Sequence, residues 1–230
     1  MLKNFFGSAI ILYMRLKGAI FDLDGTLLDS MDVWERVDEE YFAGLGMPVP
    51  PGYALAIRDM TMLQAAEYTK ALTGAEEDAE SICDIWRSMV AEHYAYEVQP
   101  KAGAAEFLRY LHAGGVKLGI ATTLTEDIYA PALKRLGIEE LFAAKVSVRD
   151  VGRGKGFPDV YLHAAALLRL NPAQCAVFED ILKGTLAARS AGFCTVGIYD
   201  RSSSADEAAI RRASIIYARD FTGEELKGLF

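Results

Sequence analysis

The chain has 230 residues, 52% of them hydrophobic and 24% charged, a globular balance with room for one sizeable core and a small second lobe. No run stays apolar over the ~20 residues that a bilayer-spanning helix needs, so a soluble chain with no membrane partner is expected. A net charge of -8 leaves no basic stripe to neutralise phosphates, which excludes broad nucleic-acid binding.

Residues 1–13 read as an extension outside the fold. They begin with a basic residue and an apolar run, as a signal peptide does, but no small-residue cleavage site follows. From Met14 the sequence MRLKGAIFDLDGT leads straight into a first predicted strand, Lys17 to Phe21. Between Asp29 and Gln99 the pattern turns helical. Met31 to Leu45, Thr61 to Leu72 and Ala75 to Tyr96 have helical periodicity, with MPVPPGY as a loop after the first. A structureless excursion of that length does not suit a compact domain. Residues 30–98 are therefore expected to be an inserted helical cap, and 14–29 with 99–230 the core, with hinges near Leu28 to Ser30 and Val98 to Lys101.

The core pattern then resumes. Ala102 to His112 is helical and Val116 to Ala121 a strand, followed by a helix at Glu126 to Leu136 and a weaker strand at Lys145 to Val148. A helix at Pro158 to Leu170, a strand at Cys175 to Phe178 and a helix at Leu182 to Ala191 come next. Phe193 to Ile198 is a further strand, Ser214 to Tyr217 an edge strand, and Thr222 with Glu225 reads as a capping box for a terminal helix. Apolar strands alternating with helices predict an α/β fold: a doubly wound parallel sheet, helices on both faces, with the helical cap inserted. Cys83, Cys175 and Cys194 form no CxxC pair. They read as reduced thiols of a cytoplasmic protein rather than a zinc or redox site.

The sharpest local signal is Asp22-Leu23-Asp24-Gly25-Thr26 at the end of the first strand. Carboxylates at i and i+2 of a strand share a face, and Gly25 permits a sharp turn out of the sheet. Ligands of open α/β sheets bind beyond the carboxyl ends of the strands. Thr122-Thr123, the loop carrying Lys155, and Glu179-Asp180 fall at that same edge. Each alone suits a turn or a helix cap; the four in this order point to one site.

This ordered set resembles the haloacid dehalogenase-like hydrolase superfamily, in the branch whose helical cap lies between the first and second motifs. The resemblance covers residues 16 to about 200. It implies an Mg²⁺-dependent phosphomonoester hydrolase with Asp22 as nucleophile and Asp24 as acid and base. It implies that Thr122, Thr123 and Lys155 bind phosphoryl oxygens. Asp22, the backbone carbonyl of Asp24, and Asp180 would hold the ion, with Glu179 near or in its shell. Two departures are visible. Gly156-Phe157 replaces the usual proline-containing run after the lysine, and Thr123-Leu124 follows Thr122 where the family often has Ser or Asn first.

Asp24 argues against the true dehalogenases and the phosphonate-cleaving relatives, which lack that second aspartate. β-Phosphoglucomutase keeps it, but the mutase pattern places a histidine where this chain has Trp34. Hydrolysis of a small phosphorylated metabolite is thus the expected function, phosphoglucomutase-like transfer the alternative, and a non-catalytic phosphate-binding module a further one. Arg58, with Asp59 and Thr61, is the candidate substrate-binding segment of the cap. Trp34 and Trp86 read as packing residues. His93, His112 and His163 lack ligand spacing.

Overall fold

The computed structural model describes residues 16–57 and 60–230. The expected extension at 1–13, the start of the core at Met14, and Arg58 with Asp59 lie outside the described residues. The chain divides into two compact units: Ser30–Val98, and the described residues on either side of it.

The larger unit is built on strands β1 (Gly18–Phe21), β2 (Leu28–Asp29), β3 (Gln99–Pro100), β4 (Lys117–Thr122), β5 (Phe142–Ser147), β6 (Cys175–Glu179), β7 (Cys194–Ile198) and β8 (Ile216–Ala218). Six of these form one sheet in the order β5-β4-β1-β6-β7-β8, parallel throughout. β1 lies in the middle, with Phe21 in register with Ile120 on one side and Phe178 on the other. Burial on both faces explains why β1 and β6 read as unbroken apolar runs.

Each face has its own core. On one, Ile20, Val177, Val160, Ala164, Ala188 and Phe193 pack beneath the helices Asp159–Leu167 and Leu182–Ser190. On the other, Phe21 stacks on Phe178 at 4.5 Å between centroids and meets Phe107 edge-on at 6.4 Å. Aromatic pairs of this kind add ~1 kcal/mol each beyond area burial, and these clamp the residue immediately before Asp22.

Several boundaries differ from expectation. β5 begins at Phe142, not Lys145; Phe142, Ala144 and Val146 are buried in alternation, the half-buried pattern of an edge strand. Thr222 and Glu225 form no capping box. The last helix is Glu224–Lys227 with Gly223 at its N-cap, because the Thr222 hydroxyl donates to Asp220 instead, at 2.6 Å. β2 and β3 are a two-residue antiparallel ribbon joining the points where the chain leaves and re-enters this unit; strands so short carry no pattern.

The smaller unit has helices Val33–Gly44, Tyr53–Ile57, Met62–Thr73 and Ala79–Tyr96. Their buried faces meet around Phe42, Tyr53, Ile82, Trp86 and Tyr94. Thr61 and Gln64 make a capping box, the Thr61 hydroxyl accepting from the Gln64 N–H at 3.3 Å and Gln64 Oε1 from the Thr61 N–H at 2.9 Å. The last helix starts after Asp78, not at Ala75, since Asp78 accepts from the Ser81 N–H at 2.8 Å. Trp86 packs against Tyr41 with centroids 5.6 Å apart, as expected of a packing residue. Trp34 is 36% exposed and does not fit that reading. No helix among the described residues is long and apolar enough to cross a membrane, and the three cysteines are free and buried.

Candidate active site

The polar residues cluster where the central strands end. Asp22 follows β1, Thr122 closes β4, Glu179 closes β6 and Asp180 follows it. Gly25 takes φ +73°, a value that a residue with a Cβ rarely adopts. It lets the chain turn back so that its N–H reaches the Leu28 carbonyl at 3.0 Å. That turn presents Thr26, fully buried, whose hydroxyl is 2.8 Å from Asp180 Oδ1 and 3.3 Å from Asp22 Oδ2. Thr26 was visible in the motif but carried no expected role; its hydroxyl links the first and last motifs.

Lys155 is 4% exposed. Its ammonium pairs with Asp22 Oδ1 and lies 2.6 Å from Glu179 Oε1. Glu179 is held from two more directions: the Tyr161 hydroxyl donates to Oε1 at 2.6 Å and the Ile181 N–H to Oε2 at 3.3 Å. A Cβ at position 184 would stand 2.6 Å from both Glu179 Oε1 and the Tyr161 oxygen, so the helix carrying Gly184 approaches this closely only because that residue lacks one. Thr122 Oγ1 accepts from the Leu124 N–H at 3.1 Å, leaving its own proton free to donate. Thr123 is exposed at the same strand end, Asp24 is half-buried, and Glu179 and Asp180 are buried.

The electrostatics follow from burial. Burial lifts the Asp22 carboxyl well above the usual carboxylate range, against the pull of the Lys155 ammonium. Burial, reinforced by the Glu179 charge, raises Asp180 to about 7. Burial alone would lower Lys155; the Asp22 and Glu179 carboxylates outweigh it and raise the ammonium. Burial and then Glu179 push the Tyr161 phenol far up, so it stays a donor.

Asp22, Glu179 and Asp180 each offer an oxygen, and these atoms lie within 4.8 Å of one another. Three buried carboxyl groups face one ammonium, and the negative charge that burial penalises on Asp22 and Asp180 is what a divalent cation would offset. Hard carboxylate oxygens at the mouth of a strand suit Mg²⁺ in particular, which takes few protein ligands and keeps several waters. The residues fit that ion.

A family model for haloacid dehalogenase-like hydrolases matches residues 19–198. The chain belongs to that family. The chain is 32% identical over 209 residues to validoxylamine A 7'-phosphate phosphatase of Streptomyces hygroscopicus subsp. limoneus, covering 87% of this chain and 92% of that protein. It is 31% identical over 188 residues to hexitol phosphatase A of Escherichia coli, covering 80% and 84%. Among solved structures, CbbY from Rhodobacter sphaeroides in complex with phosphate superposes with a TM-score of 0.76 at 21% identity, over 93% of this chain and 99% of that one. The sheet and cap of this chain therefore have the family's fold, and the chain falls in its phosphatase and phosphoglucomutase-like branch.

Proposed function

We propose that this phosphomonoester hydrolase is Mg²⁺-dependent, uses Asp22 as its nucleophile, and acts on a small phosphorylated metabolite such as a sugar phosphate. The observation that carries the reading is the buried cluster of Asp22, Glu179 and Asp180 around Lys155 at the strand ends. Similarity to two phosphatases over most of the chain supports it. Three free, buried thiols support the cytoplasm as its compartment.

In the first half-reaction an Asp22 carboxylate oxygen attacks phosphorus and the ester P–O bond breaks. The proton of the Asp24 carboxyl goes to the leaving alkoxide. In the second, water attacks phosphorus, Asp24 takes back a proton, and the bond to Asp22 breaks to release inorganic phosphate. Thr122, Thr123 and Lys155 bind the phosphoryl oxygens and offset their charge, donors of a kind worth ~10²–10³ in rate each. Lys155 also holds Asp22 in place before attack, and Glu179 holds Lys155. When bound by Asp22, the Asp24 carbonyl and Asp180, Mg²⁺ supplies charge neutralisation at the phosphoryl group. Glu179, already engaged by Lys155, Tyr161 and the Ile181 N–H, serves as their anchor beside the ion. Arg58 is the proposed contributor to substrate choice.

The test is phosphate release from p-nitrophenyl phosphate and a panel of sugar phosphates, with and without Mg²⁺. Asp22→Asn should abolish turnover while the circular dichroism spectrum is retained. Retained turnover would mean that another group attacks phosphorus. Conversion of a hexose 1-phosphate to its 6-phosphate, without phosphate release, would replace hydrolysis by the mutase alternative.

A further inference from the structure

Asp180 is gripped on both oxygens. Thr26 donates to Oδ1 at 2.8 Å, and the Ser203 hydroxyl donates to Oδ2 at 3.2 Å. A hydroxyl on each oxygen fixes the plane of a carboxylate, while each oxygen keeps a further lone-pair site for a cation. Thr26 belongs to the first motif's own turn. Ser203 comes from elsewhere, on a 3₁₀ turn, Arg201–Asp206, that follows β7.

That turn is built around one buried residue. Asp200 Oδ1 accepts from the Ser202 N–H at 2.8 Å and the Ser202 hydroxyl at 2.7 Å, and the Asp200 carbonyl accepts from the Ser203 N–H at 3.2 Å. Its other carboxylate oxygen meets Lys101 Nζ at 2.7 Å, across 99 residues of sequence. The same ammonium donates to the Tyr199 carbonyl at 2.7 Å, and the Lys101 N–H donates to the Leu27 carbonyl at 2.9 Å. The Lys101 and Asp200 side chains are only 10% and 6% exposed. Burying such a pair costs desolvation that its mutual attraction does not reliably recover, so its use here is better sought in geometry than in stability. The geometry it fixes ends at Asp180.

We propose that Ser203 is a positioning residue for the metal ligand Asp180, and that the buried Lys101–Asp200 pair holds Ser203 in place. This rests on the metal-site reading above. Without Ser203, Oδ2 loses its tether and the carboxylate can rotate about its Cβ–Cγ bond, with Thr26 alone to restrain it. Partners behind a metal ligand typically govern affinity by 10–100-fold when removed.

The experiment is calorimetric titration of the substrate-free protein with MgCl₂, comparing wild type, Ser203→Ala, Ser203→Thr and Asp180→Ala. Ser203→Ala is expected to weaken Mg²⁺ binding about tenfold and Ser203→Thr to restore it to within about twofold. In turnover, the half-saturating Mg²⁺ concentration should move more than kcat. Asp180→Ala should lose the binding heat. A Ser203→Ala dissociation constant within about twofold of wild type would overturn the proposal, with the metal-site reading standing if Asp180→Ala still loses binding. No binding heat in wild type would overturn both.

Discussion

Replacing Asp180 with Asn should make the metal-free protein more stable and remove its response to Mg²⁺. Asp180 is 1% exposed and its carboxyl is raised from 3.8 to about 7. A rise of about three pH units corresponds to roughly 4 kcal/mol of penalty on the charged form. The folded state therefore binds the extra proton between about pH 4 and 7, and stability falls as pH rises through that window. Asn carries no charge, so it escapes this penalty. It keeps one oxygen acceptor but forfeits one of the two hydroxyl donors, Thr26 or Ser203, a loss of ~1–2 kcal/mol. The net gain at pH 8 is ~2–3 kcal/mol, or a rise in Tm of ~5–10 °C for a chain of this size. Mg²⁺ at 100 times its dissociation constant should stabilise wild type by ~2.7 kcal/mol and leave the variant unmoved. Differential scanning calorimetry at pH 4 and pH 8, in EDTA and in Mg²⁺, reads all four corners. The variant's advantage should disappear near pH 4, where both proteins are uncharged at this position. A metal-free Asp180→Asn protein that melts at or below wild type at pH 8 would refute the reasoning.

Lys155→Met should lower kcat by ~10²–10³ and cost ~3–5 kcal/mol of stability, because it leaves the buried Asp22 and Glu179 charges without their ammonium; phosphate release and urea melts check both. Tyr161→Phe should cost ~1–3 kcal/mol by removing a donor to a buried carboxylate, with a smaller loss in kcat than Lys155→Met; the ratio of the two variants' kcat values is the measure. Arg58→Ala should change the ranking of substrates across a sugar-phosphate panel, whereas a uniform reduction would remove Arg58 from substrate choice.

The residues legible in the sequence were those that punctuate a pattern. Asp22, Thr122 and Glu179-Asp180 each interrupt an apolar strand at its carboxyl end, and Lys155, two residues after Arg153 in a short polar loop, is marked by its place in the order and spacing of the motifs. The residues that support them leave no such mark. Tyr161 belongs to the Pro158-Asp159-Val160-Tyr161 run that follows Lys155, but on the apolar side of a helix, among Val160, Ala164 and Ala165, nothing marks its hydroxyl as a donor to Glu179. Ser203 lies within three consecutive serines, which read as loop. Lys101 and Asp200 are 99 residues apart, and a pair so distant has no local signature. The missed helix Tyr53–Ile57 is five residues long, shorter than the two turns that make a 3.6-residue period visible.

The same division bears on how the site is built. Three carboxylates crowd one strand mouth, and each is restrained by a different donor set: Asp22 by Lys155 and Thr26, Glu179 by Lys155, Tyr161 and the Ile181 N–H, Asp180 by Thr26 and Ser203. Thr26 and Lys155 are each shared between two acids, so neither can move without displacing both. Glu179 alone has donors on both oxygens that include an ammonium and a phenol, which commits it to holding Lys155. Asp22 and Asp180 are left with the less saturated oxygens. Attack on phosphorus and binding of a cation both require such oxygens, and the restraint on Asp180 from the Lys101–Asp200 side keeps one of them aimed while Lys155 engages the other acid.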